Sequence, residues 1–65
     1  MRYEIRIDGV MSDTLAQAFP ELRRFVEPDQ TVLVGQIIDE AHLYGLLNRC
    51  RSLGLRVVEL RQLAE

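Results

Sequence analysis

The chain has 65 residues and a formal net charge of −2, so it fits one small domain with no overall attraction for nucleic acid or an anionic membrane. Its lone cysteine excludes an internal disulfide, and one Cys with one His falls short of a structural zinc site. No apolar run approaches the ~20 residues that span a bilayer.

Residues 2–8, RYEIRID, alternate between Tyr3, Ile5 and Ile7 on one side and Arg2, Glu4, Arg6 and Asp8 on the other, the period of a half-buried strand. This opening does not resemble a signal peptide, and a cytoplasmic location is expected. Gly9 breaks the strand. Ser12 then suits the N-cap of a helix through SDTLAQAF, with Asp13 in its positively polarised first turn. Leu15, Ala18, Phe19 and Leu22 share a face of it, and Pro20 ends it near Phe19.

Residues 22–27, LRRFVE, read as a short edge strand, and Pro28 opens the turn PDQ. TVLVGQI at 31–37 is β-branched and strand-like. Asp39 caps a long helix, DEAHLYGLLNRCRSLG, with Ile38 and Leu43 at the positions of a hydrophobic staple. Leu43, Leu46, Leu47, Cys50 and Leu53 form its apolar stripe, and Gly54 ends it. LRVVELRQL at 55–63 is the last strand.

The letters DEAH at 39–42 match a motif of DEAH-type helicases. Such an enzyme needs a phosphate-cradling loop with a lysine, and all eight basic residues here are Arg. The absence of Lys reads as codon bias in a GC-rich genome. The local reading explains each letter: Asp39 caps, Glu40 favours the first turn, Ala41 propagates the helix and His42 sits on an early turn.

The order β-α-β-β-α-β across residues 1–65 predicts a single α+β domain of ferredoxin-like topology: a four-stranded antiparallel sheet with two helices on one face. Tyr3, Ile5, Ile7, Phe25, Leu33, Val58 and Leu60 are expected in the core. The opposite, uncovered face is expected to carry Glu4, Arg6, Val32, Val34, Val57, Glu59 and Arg61, an apolar patch ringed by both signs of charge. Because Val57 and Val58 are adjacent, either an assembly covers this face or a bulge shifts the register.

No residues form a recognisable catalytic set. No Ser, Cys or carboxylate is arranged around His42 in a recognisable triad, and Cys50 lies on the apolar stripe as an inert thiol. Gly45, mid-helix, suggests a close approach of that helix to a neighbour. Arg23 and Arg24, with Arg6 and Arg61, could form a basic strip for RNA, but Val32 and Val34 stand where stacking aromatics are wanted.

The topology and the glycines of the chain resemble the ACT-like regulatory modules. That resemblance implies dimerisation and an amino-acid ligand near the loop after the first strand, here Gly9, Val10, Met11 and Ser12. The same loop lacks the CxxC of heavy-metal domains and the Arg of acylphosphatases. TVLVGQIIDEAHLYGLLNRCRSLGLRVVELRQL also resembles short proteins of high-GC actinobacteria, which implies no activity. The expectation is a non-enzymatic binding or assembly module without metal or cofactor, homodimerising through the open face or strand edges. The alternatives are an amino-acid-type regulatory domain or enzyme accessory subunit, and then RNA binding.

Overall fold

Alternation at the N-terminus builds the centre of the sheet. A computed structural model describes residues 1–64, ordered β1 (Arg2–Asp8), α1 (Asp13–Ala16), β2 (Arg23–Glu27), β3 (Gln30–Gln36), α2 (Glu40–Ser52) and β4 (Val57–Leu63). The strands form one sheet in the order β2-β3-β1-β4, every neighbouring pair antiparallel. This is the ferredoxin-like α+β arrangement, and the first and last strands pair as the sequence predicts.

Both helices cover the same face. Ile5, Ile7 and Leu33 project into a core with Met11, Phe19 and Ile37 and with Leu43, Leu46 and Cys50 of α2. α1 is shorter than predicted. Ser12 Oγ accepts from Leu15 N–H at 3.2 Å, as an N-cap should. The helix closes at Ala16, and turn bonds from Ala18 to Leu15 and from Phe19 to Ala16 carry Phe19 into the core. α2 ends on Gly54 at φ +74°, a conformation that favours glycine. Leu55 N–H bonds Cys50 C=O and Gly54 N–H bonds Arg51 C=O, the paired bonds of a Schellman motif.

Three core assignments are corrected. The turn at Pro28 and Asp29 sets Phe25 opposite Val32, on the uncovered face, where Phe25 stays 45% exposed. Leu60 does face the helix side, opposite Ile5, but it lies on an edge strand, outside the core cluster and 39% exposed. Val58 sits at a register shift: Arg6 pairs Glu59 while Ile7 pairs Val57, so the chain bulges there. The bulge answers the Val57–Val58 question, and it moves Val57 from its expected open-face position to the core side, packed against the core cluster.

Three further local expectations fail. Ile38 is largely exposed and makes no staple; its N–H instead donates to His42 Nδ1 at 3.0 Å. Leu53, at the helix end, is exposed as well. The close approach expected at Gly45 occurs at Gly35, where an added Cβ would lie 2.6 Å from Leu22 Cδ2 and 2.9 Å from Glu21 O. A Cβ added at Gly45 would meet nothing within 4 Å outside its own helix backbone.

Candidate interaction surface

On the uncovered face, β1 sets Glu4 opposite Val34 and Arg61, and Arg6 opposite Val32 and Glu59. Arg6 Nε donates to Glu4 Oε2 at 3.1 Å, and Arg6 Nη1 donates to Glu27 Oε1 at 2.9 Å and to Gln30 Oε1 at 3.2 Å. Arg61 Nη2 donates to the same Glu4 oxygen at 3.1 Å, and Glu59 Oε1 lies 3.6 Å from Arg6 Nε. Arg23 stacks over the Phe25 ring at 5.6 Å. The hydrogen bond to Glu27, and then that to Glu4, push the Arg6 pKa above its ordinary value.

This lattice changes the expected patch. Val32 and Val34 do lie on the open face, yet they are buried, 4% and 9% exposed. Glu4 is itself buried, with its carboxylate held by two guanidinium groups. Glu59 and Arg61 keep exposed side chains at the sheet edge. The expected valine patch is therefore absent as an exposed surface. Of the residues named for it, Glu4, Arg6, Val32, Val34, Glu59 and Arg61 share the face and Val57 does not.

Within the sheet, exposed apolar surface lies on the two edge strands; outside it, Val10, Ile38 and Tyr44 are exposed. On β4, Val58 is 43% and Leu60 39% exposed, although Leu60 points to the side that elsewhere forms the core. Leu53 is also exposed, at the end of the helix that leads into this strand. On β2, Val26 and Phe25 are exposed. Period-two patterning could not reveal this, because it assigns a face and not a distance from the covering helices.

The first loop is occupied by its own hydrogen bonds. Thr31, fully buried on β3, accepts from Met11 N–H at 2.8 Å and donates to Gly9 C=O at 2.9 Å. Gly9 N–H bonds Asp29 C=O, and Arg24 Nη1 donates to Met11 C=O at 3.0 Å while Nη2 pairs with Asp13. Ser12 Oγ is taken by its cap, and Val10 stays exposed. Sequence reading missed Thr31 because a threonine in TVLV is also an ordinary strand residue.

Around α2, Asp39 Oδ1 accepts from His42 N–H at 2.8 Å, which confirms the capping role of DEAH. His42 Nε2 lies 3.9 Å from Glu21 Oε2, and Arg49 Nη1 donates to Glu21 Oε1 at 3.0 Å and to Ala18 C=O at 2.7 Å. Partial burial works to raise the Glu21 pKa, but a backbone hydrogen bond and Arg49 outweigh it and hold the carboxyl below its usual range. Burial pushes the Cys50 thiol up, so its reactive thiolate is disfavoured. Among the described residues no three His, Cys, Asp or Glu side chains group as a metal site, and no helix is long and apolar enough to cross a membrane.

The fold defines the class: a small ferredoxin-like α+β domain with a charged open face and two free strand edges. The profile of a domain of unknown function, DUF8691, matches residues 2–61, and the chain belongs to that family. No curated protein and no solved structure matches it.

Proposed function

We propose that this chain is a cytoplasmic, non-enzymatic assembly module that works as a homodimer joined through a strand edge. One observation carries the reading: β4 is exposed along almost its whole length, and Leu60 remains 39% exposed on the core side of the sheet. An edge strand offers unpaired backbone groups, and proteins commonly cover or blunt such edges. A domain this small also gains from association, since a single core below about 70 residues rarely supplies more than ~3–5 kcal/mol. The open face is the weaker choice for the contact, because its valines are already buried.

The amino-acid-ligand alternative would use Gly9 to Ser12. It is the weaker reading, because Thr31, Asp29 and Arg24 already take the Met11 and Gly9 amides and both carbonyls. Light scattering coupled to size exclusion tests the proposal. The expected mass is twice the 7.5 kDa of one chain, and a strict monomer at micromolar concentration removes it. A thermal shift with one amino acid, absent with others, would move the assignment to the ligand-binding alternative.

A further inference from the structure

We infer that the second copy docks on β4 itself, strand to strand and antiparallel about a two-fold axis at Leu60, so that Glu59 of each copy faces Arg61 of the other. This rests on the self-association proposed above and names its surface and register. An isologous contact needs a patch complementary to itself. Val57–Leu63 read against its own reverse about Leu60 meets that condition, with Glu59 opposite Arg61 and Leu60 opposite Leu60.

The intramolecular lattice supports this register. Within one copy, Glu4 stands beside Arg61 and Arg6 beside Glu59. Continued across the seam, a cross-strand row would run Glu4, Arg61, then Glu59 and Arg6 of the second copy, alternating in sign at each step. Arg61 gives one hydrogen bond to Glu4 and has further N–H donors, while Glu59 is beyond hydrogen-bond distance of Arg6. On the helix side, Leu60 would cover its own counterpart, closing apolar surface that stays 39% exposed in one copy. The bulge lies toward the Val57 end and leaves pairing regular from Glu59 onward.

The other edge is a poorer candidate. Reversed about Phe25, β2 also places Arg23 opposite Glu27. Their inward neighbours, however, are the uncharged Val34 and Gln30, so no alternating row continues into the sheet. Glu27 is already held by Arg6 at 2.9 Å and Arg23 by its own Phe25. β2 also offers five residues against the seven of β4.

The test is a charge-swap series read by sedimentation equilibrium, with circular dichroism confirming the fold. Glu59→Arg alone and Arg61→Glu alone should each weaken self-association on the order of 30-fold, as two attractive cross-strand pairs become repulsive. Mixing the two variants should restore a tight one-to-one heterodimer, and the double swap a homodimer. Because both residues also touch lattice partners within the chain, Leu60→Cys provides an independent readout: oxidation should link two copies through position 60, with buried Cys50 unreacted. A dimer that ignores both substitutions and cross-links through Phe25→Cys overturns the β4 pairing while leaving self-association standing. A wild-type monomer overturns both.

Discussion

On the helix side of the sheet, Leu33 is 1% exposed beneath two helices and their loops; on the other side its neighbour Val32 is 4% exposed with no element above it. The same burial is reached by two routes. The first is close packing of apolar groups brought in from elsewhere in the chain. The second is a set of arginine and glutamate side chains that share the open face with the valines and pair with each other there. A chain with too few residues for a helix layer on both faces can therefore bury valines on its open face among ion-paired side chains, while both edge strands keep exposed apolar groups.

Substitution of these adjacent residues sharpens that contrast most. Leu33→Ala leaves a cavity in a packed core and should cost about 2–5 kcal/mol. In a domain with few kcal/mol to lose, loss of cooperative unfolding counts as the upper end. Val32→Ala should cost roughly half as much, because the flexible side chains around it can settle into the space. Urea denaturation measures both, and an equal or reversed order would mean that the open face is as rigid as the core.

Next in size is the buried hydroxyl that ties the covered face to the first loop. Thr31→Val keeps the shape but strands the Met11 N–H and the Gly9 C=O, and should cost about 1–3 kcal/mol. Amide exchange at Met11 should quicken by more than the global loss of stability accounts for. A variant as stable as the parent would show that the loop is held without Thr31.

The lattice itself is the target of Glu4→Gln. The substitution keeps an acceptor but removes the charge shared by Arg6 and Arg61, and should cost about 1 kcal/mol. Its cost should shrink as salt is raised, since partly exposed charges are screened, whereas that of Leu33→Ala should not. If the two respond alike to salt, the faces are not held by different forces.

What the sequence made legible follows the same division. Alternation at 2–8, the Ser12 and Asp39 caps, and Gly54 are local signals, and each lies where predicted apart from the early end of α1. Phe25, Val57 and Val58 were misplaced because their faces depend on a hairpin register and a bulge, which one strand's pattern does not encode. The burial of Val32 and Val34 was illegible for a related reason. The hydrogen bonds that hold Arg6 on that face come from partners 2 and 21 residues away in the chain. The edge position of Leu60 was available in principle, since this topology puts the last strand outside and its helix over the centre.

The outer surface of the helix layer gives the smallest effect and the last way to break the comparison. Gly45 sits inside α2, exposed, with nothing outside its own helix backbone within 4 Å of where a Cβ would stand. Glycine there gives the unfolded chain freedom that folding removes, so Gly45→Ala should stabilise the domain by about 0.5–1 kcal/mol. For a chain of this size that corresponds to a rise of roughly 2–8 °C in Tm. Self-association should be unchanged, because the pairing proposed for β4 leaves this helix surface in water. If the variant is more stable yet dimerises less well, a second copy approaches α2 closely at Gly45. The helix layer would then also be a docked face, and exposure at the β4 edge would lose its standing as the feature that selects the contact.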